Sequence, residues 1–194
     1  MSAGAVLFWI ATLALLWVYL GYPVLAGVMS RLRPFRPSLG RVDQPLVTVG
    51  IAAHNEAAEL EARVANILGQ EGSFQLELII ASDGSTDGSL PLLDRLAAAD
   101  PRVRILALAR VGQTGAQDEI FRAATGDIVV LSDAATRFAP GCLANLVAPF
   151  ADPRVGCTTG HLAWLDLDQS ETSRNEGLYW RYEQVVRGLE SRAG

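Results

Sequence analysis

The sequence predicts an α/β fold built on a mainly parallel sheet and preceded by one transmembrane helix. Three observations carry this. Residues 3–29 contain no charged side chain. From residue 46 onward, short β-rich apolar runs alternate with longer Ala/Leu patterns of helical period, the signature of strands that pair in parallel beneath covering helices. Acidic and amide residues gather directly after the apolar runs, where the ligand crevice of such sheets lies.

The first element is the run "AGAVLFWIATLALLWVYLGYPVLAGVM". It exceeds the roughly 20 apolar residues that cross a bilayer as a helix. Trp9, Trp17, Tyr19 and Tyr22 suit interfacial or packed positions within it. It lacks the basic leader of a secretory signal and is longer than the roughly 7–15-residue apolar region expected of one, so a retained anchor over residues 1–30 is the expectation. Arg31, Arg33, Arg36 and Arg41 follow it, against no side-chain charge before it, which places the rest of the chain in the cytoplasm. Pro34, Pro37 and Pro45 make residues 31–45 a basic, extended linker. A single domain is expected over residues 46–194.

Within that domain, residues 46–52, "LVTVGIA", read as a buried strand, residues 56–70 as an amphipathic helix and residues 76–81, "LELIIA", as a second strand. A helix over residues 90–99, a strand over 102–108, a helix within 116–125 and the apolar strand "IVVLS" at 128–132 continue the alternation. A helix over 141–150, a strand region over 155–165 and a helix near 179–191 complete it.

Composition excludes some functions. A net charge of -5 leaves no broad basic surface for a nucleic-acid partner. Cys142 and Cys157 have no C-x-x-C or Cys/His metal spacing, so they read as structural thiols in a reducing compartment.

The strand ends carry "AHNE" at residues 53–56, "SDGSTDG" at 82–88 and "SDAAT" at 132–136. The second mimics a calcium loop, with Asp83, Ser85 and Asp87 in ligand positions and Asp94 in the twelfth. A strand precedes it, however, Pro91 falls inside it, and Asp94 replaces the usual bidentate Glu. Ser85, Thr86, Asp87 or Ser89 can cap the following helix, yet capping leaves Asp83 at the strand terminus unexplained. A carboxylate there accepts hydrogen bonds from the N–H of a base or the hydroxyl of a ribose.

Taken together, "VTVGIAAHNEAAELEARVANILGQ", "LELIIASDGSTDGS" and "GDIVVLSDAATRFAPGCLANLVAPFADPRVGCTTG" resemble the family 2 glycosyltransferases in the order and spacing of their Rossmann-like GT-A nucleotide-sugar-binding domain. The membrane helix before them and "LYWRYEQVVRGLES" after them are similar to membrane-bound members that extend polysaccharides or glycolipids. The resemblance implies transfer of a sugar from a nucleotide-sugar donor to a glycan or lipid acceptor at a membrane, that of a bacterial inner membrane, with the domain on the cytoplasmic side. A non-catalytic nucleotide-binding membrane module is the alternative, and a nucleotidyltransferase a third reading.

By the same resemblance, the backbone of Ala52, Ala53 and His54, with Asn55 and Glu56, borders the nucleoside, Asp83 contacts the base, and Gly112 and Gln113 belong to the donor site. Asp133 takes the first aspartate of the D-x-D motif as the catalytic and metal-binding residue, beside the diphosphate and a divalent cation, Mg²⁺ or Mn²⁺. His54 and His161 read as structural or peripheral. Ala135 stands where the motif often has its second acidic residue, Gln113 replaces a frequent Lys, Asp118 a frequent Asn and Ala52 a common Pro. The general base and acceptor motifs of inverting members, and further membrane helices, are expected beyond Gly194. Asp168, Glu171 and Glu176 are the competing candidates for that base, while Glu183 and Glu190 read as part of a helix face.

Overall fold

The computed structural model describes residues 2–40, 42–163 and 171–193, with side chains in the last stretch from Tyr179 onward. Arg41 and Asp168 lie outside the described residues, as do the side chains of Glu171 and Glu176. The chain divides into two compact units, residues 1–37 with 161–194 and residues 38–160.

In the first unit, helix α1 (Ala3–Leu16), a π-helical turn (Trp17–Gly21) and helix α2 (Tyr22–Leu32) run on as one helix. Ser2 caps it, its hydroxyl accepting from the Ala5 N–H. Its 30 residues make it long and apolar enough to cross a membrane: at about 1.5 Å per residue it exceeds a hydrocarbon core of about 30 Å. The π turn has an identifiable cause. Pro23 has no N–H to give to the turn before it, which leaves backbone acceptors there open. The hydroxyl of Tyr182 donates to the Tyr19 carbonyl at 3.1 Å and lies 3.5 Å from that of Val18. Tyr182 belongs to the last helix, α7 (Glu171–Ala193), which also receives a hydrogen bond at Glu190 from Tyr22.

The second unit is built on a four-stranded sheet of β1 (Leu46–Ala53), β2 (Gln75–Asp83), β3 (Val103–Leu108) and β4 (Ile128–Asp133). All pairings are parallel and the spatial order is β3-β2-β1-β4. Helices α3 (Ala57–Leu68), α4 (Ser89–Ala99) and α5 (Gly112–Ala123) connect successive strands, and α6 (Cys142–Val147) follows β4. The strands obey the period of two. Val47, Val49, Ile51, Leu78 and Ile80 point to one face, where they pack with Leu60, Val64 and Ile67 of α3, Leu93 of α4 and Leu143 of α6. Ile79 and Ala81 point to the other, against Ala116 and Ile120 of α5. Gly50 makes the second face possible, since a Cβ there would stand 2.4 Å from Ile120 Cγ2.

The expected strand over residues 155–165 is a correction. Its described part, up to residue 163, carries no strand. Gly156 and Gly160 break the run, and the Thr158 hydroxyl turns back to the Leu146 carbonyl at 2.9 Å, local bonding that competes with a ladder.

The register decides where the chemistry sits. Ala53 pairs with Ser82 and Ala52 with Asp133, while Asp83 faces Leu108. The carboxyl ends of the strands therefore finish at one edge of the sheet. β1 leads outward to β2 and β3 on one side and has β4 on the other, so the chain reverses direction across β1, where ligands bind in open α/β sheets.

Candidate functional site

A cavity of about 380 Å³ opens at that edge, lined by Ala52, Ala53, His54, Glu56, Asp83, Arg110, Gln113, Asp133, Ala134 and Ala135. Three strand ends contribute acidic groups or backbone, and the loop after β3 contributes the cation.

Asp83 closes the inner wall. Its side chain is 5% exposed, and its two carboxylate oxygens accept the backbone N–H groups of Val111 (2.6 Å) and Gly112 (3.0 Å) at the start of α5. A carboxylate suits this place, because those N–H groups have no partner inside the helix and carry the positive end of its dipole. Arg110 stands with Nε 3.7 Å from the same carboxylate and is 59% exposed at the cavity rim. Gly84 permits this approach. Its φ is +64°, and a Cβ would meet the Arg110 backbone nitrogen at 3.1 Å.

His54 donates from Nδ1 to the Asp83 carbonyl at 2.7 Å. A carbonyl only accepts, so the proton sits on Nδ1 and leaves Nε2 to face the Asn55 side-chain amide at 3.2 Å. Asn55 itself is in the left-handed region at φ +56°, tolerable for an Asn. Its Oδ1 accepts from Thr86 N–H and its own N–H donates to the Ser85 hydroxyl. Asp87 completes the lacing: it accepts from Ala57 N–H at the start of α3 and from both donors of Ser89. These bonds, first the Ser89 hydroxyl and then the Ala57 N–H, hold its carboxyl below the usual range. The loop after β1 and the "DGSTDG" loop are thus one hydrogen-bonded body.

On the opposite wall Asp133 is exposed, and Gln113 Nε2 donates to its Oδ1 at 3.1 Å across the cavity. Among the described residues no group of three or more His, Cys, Asp or Glu side chains is placed to hold a metal ion by itself. Ala134 and Ala135 add no ligand.

Of the residues expected from the sequence, Ala52, Ala53, His54, Glu56, Asp83, Gln113 and Asp133 line one cavity. Asn55 and Gly112 stand behind the lining, Asn55 tying two loops and Gly112 giving its N–H to Asp83. Two functional candidates go beyond that set. Arg110 lies two residues past β3, where a strand-end rule points as it does for the other strands. Arg63, in mid-helix of α3, carries no such signal. Glu183 is paired with Arg187, and His161 is not among the cavity's lining residues.

The sequence profile of Glycosyl transferase family 2 matches residues 48–190. The chain belongs to this family. Its relatives include an N-acetylglucosaminyltransferase of Bradyrhizobium elkanii, 34% identical over 121 residues, which take in 61% of this chain and 66% of the relative. The glycosyltransferase AglD of Haloferax volcanii is 31% identical over 165 residues, 82% of this chain and 26% of that protein. Among solved structures, the mannosyltransferase PcManGT from Pyrobaculum calidifontis, in complex with GDP-Man and Mn²⁺, superposes with a TM-score of 0.61 at 31% identity. That match covers 74% of this chain and 44% of the mannosyltransferase. The family-2 chain therefore spans from about a quarter to two thirds of the length of these relatives.

Proposed function

We propose that this chain carries the donor-binding part of a membrane-anchored glycosyltransferase, which moves a sugar from a nucleotide-sugar donor to a glycan or lipid acceptor. The observation that carries this is the single cavity at the strand ends, with an acidic inner wall at Asp83, a cation at Arg110 and an exposed carboxylate at Asp133. Each wall meets a different part of a nucleotide sugar. A base offers N–H donors that suit the remaining lone pairs of Asp83 and the backbone of Ala52–His54. The guanidinium of Arg110 suits a diphosphate. Asp133 lies across the cavity, held by Gln113.

The donor set fits a divalent cation shared with the substrate. Mg²⁺ and Mn²⁺ prefer oxygen, and Mg²⁺ sites commonly combine one or two carboxylates with substrate phosphates and water. Asp133 would hold the ion on the protein side, and the ion would neutralise charge developing on the departing nucleoside diphosphate. The structure of the Pyrobaculum mannosyltransferase in complex with GDP-Man and Mn²⁺ supports the use of a divalent ion together with a nucleotide sugar. The long apolar helix Ala3–Leu32, charge-free over residues 3–29, and the arginines from Arg31 onward support a membrane anchor with the cavity on the cytoplasmic side.

Calorimetry of the detergent-purified chain with UDP and GDP, with and without Mn²⁺, tests the assignment. Asp83→Ala is expected to weaken binding in both conditions, and Asp133→Ala to remove mainly the Mn²⁺-dependent part. Equal losses for both variants, independent of cation, would defeat this division of roles.

A further inference from the structure

Helix α3 turns one face toward the segment that carries Asp133. Glu59, Arg63 and Asn66 stand at i, i+4 and i+7, and so line up along the helix. All three reach the stretch from Ser132 to Phe138. Arg63 Nη2 donates to the Ser132 hydroxyl at 2.7 Å. Asn66 grips Phe138 twice, accepting its N–H at 2.8 Å and donating to its carbonyl at 2.9 Å. Arg137 donates to Glu59 at 2.6 Å. The segment that presents Asp133, Ala134 and Ala135 to the cavity is thus held at both ends by one helix.

Arg63 is the unusual member. It is fully buried, its guanidinium lies 4.2 Å above the Phe138 ring, and Nη1 donates to Asn66 Oδ1 at 2.9 Å. Its Nε has no hydrogen-bond partner, and it takes part in none of the ion pairs among the described residues. Burial lowers its pKa to about 10, with Arg137 adding to the drop and Cys142 and Asp133 opposing it. The group therefore stays charged at neutral pH. An unpaired buried charge is a costly way to fasten a loop, because a well-packed apolar side chain of similar volume is often as stable or more so. Its charge needs a use beyond packing, and the exposed carboxylate one residue past its hydrogen-bond acceptor Ser132 is Asp133.

We propose that Arg63 is a positioning residue for the donor site: from behind β4 it fixes Asp133 toward the cavity and sets a permanent positive charge beneath the place where the donor's diphosphate is held. This rests on the reading of the cavity as a nucleotide-sugar site. It also accounts for a site with Ala135 and Gln113 where a second carboxylate and a cation were expected. A single carboxylate binds the shared cation less firmly than two, and a buried guanidinium offsets part of the remaining negative charge of the diphosphate from the protein side.

The test uses the full chain in detergent, with UDP and GDP as probes and Mn²⁺ titrated by calorimetry, in four forms: Arg63→Lys, Arg63→Met, Asp133→Asn and the double variant Arg63→Met/Asp133→Asn. Outer partners of a metal ligand are typically felt as about 10–100-fold in metal affinity, so Arg63→Met should weaken Mn²⁺-dependent nucleotide binding by about tenfold. Arg63→Lys, which keeps the charge, should recover most of it. In the Asp133→Asn background Arg63→Met should cost clearly less than in the parent chain, because the part of its influence that runs through Asp133 is already lost and only the part exerted on the diphosphate remains. Should Arg63→Met not fold, Ser132→Ala removes only the acceptor facing Nη2 and should produce a smaller loss, again confined to the Mn²⁺-dependent part. Binding by Arg63→Met or Ser132→Ala equal to the parent, equal losses in the Lys and Met variants, or additive losses in the double variant would overturn the proposal. If the parent binds and Asp133→Asn weakens it while Arg63→Met does not, this inference alone falls. If the parent binds neither nucleotide, the nucleotide-sugar reading falls and takes this one with it.

Discussion

Replacing Asp83 with Asn separates the two tasks that converge on this side chain. In the folded chain one carboxylate oxygen accepts from Val111 N–H at 2.6 Å and the other from Gly112 N–H at 3.0 Å. An Asn side chain has one acceptor oxygen, so whichever way it turns, one of those N–H groups meets an NH₂ donor. A hydrogen bond to a charged group contributes about 1.5–3 kcal/mol, and a buried donor left unsatisfied costs about 1–3 kcal/mol; the two overlap, giving a loss of about 2–3 kcal/mol. In a protein of this size 1 kcal/mol moves the Tm by about 2–4 °C, so Asp83→Asn should unfold roughly 4–12 °C earlier. Scanning calorimetry of the full chain in detergent reads this directly. Trp9, Trp17, Trp164 and Trp180 all lie outside residues 38–160, so intrinsic fluorescence would miss the event. A Tm within about 1 °C of the parent, well below the shift expected for a lost bond, would refute the role of Asp83 as an anchor for α5. Loss of UDP or GDP binding with that unchanged Tm would assign the carboxylate to the ligand alone.

Three further outcomes follow from the fold. Gly50→Ala puts a methyl 2.4 Å from Ile120 Cγ2 and should destabilise by about 1–3 kcal/mol through overpacking; Ile120→Ala in the same chain should return part of the lost Tm, and a neutral Gly50→Ala would contradict the packing of α5 on the sheet. Glu77 titrates below the usual carboxylate range: burial disfavours its charge, but the Thr48 hydroxyl, the Thr125 N–H and Arg104 outweigh that. A depressed folded pKa stabilises above the unfolded value of about 4.3 and is lost as pH falls through the folded value, so Glu77→Gln should flatten the acid limb of the stability profile; an unchanged limb would count against the network. Reporter fusions after residue 160 should report the cytoplasm, since Arg31 in the last turn of the helix, and Arg33 and Arg36 beyond it, follow a charge-free stretch over residues 3–29, and a signal from the opposite compartment would reverse the topology.

The sheet was legible because alternation along β1 and β2 is nearly unbroken: Val47, Val49 and Ile51 face one layer and Ile79 and Ala81 the other. The same rule failed at residues 155–163, where β-prone residues are present but Gly156, Gly160 and a back-bonding Thr158 dissolve the pattern. Asp83 and Asp133 were visible as charges that end apolar runs. What the sequence hid was how Asp83 is used. The N–H groups it binds lie 28 and 29 residues away, and no spacing rule anticipates such a pair. Arg63 was hidden for the opposite reason: at mid-helix an Arg reads as a solvated charge, and only the packing of Phe138 and Ser132 over it makes it interior.

Rigidity and exposure are divided unequally across the cavity, and the division has a consequence for ligand binding. The Asp83 wall is fixed before any ligand arrives, since His54, Val111 and Gly112 hold both its carbonyl and its carboxylate. Asp133 instead is exposed and restrained at its carboxylate by the amide of Gln113 at 3.1 Å. A cation held by Asp133 through Oδ1 would compete with the Gln113 hydrogen bond, since both would draw on the lone pairs of that oxygen. Gln113→Ala frees the carboxylate without touching the Asp83 wall, so it should strengthen or leave unchanged the Mn²⁺-dependent part of UDP or GDP binding. If the amide is itself a ligand of the diphosphate, the same substitution weakens binding with and without Mn²⁺. Calorimetry under both conditions separates the two roles, and a cation-independent loss would show that Gln113 serves the nucleotide rather than restraining Asp133.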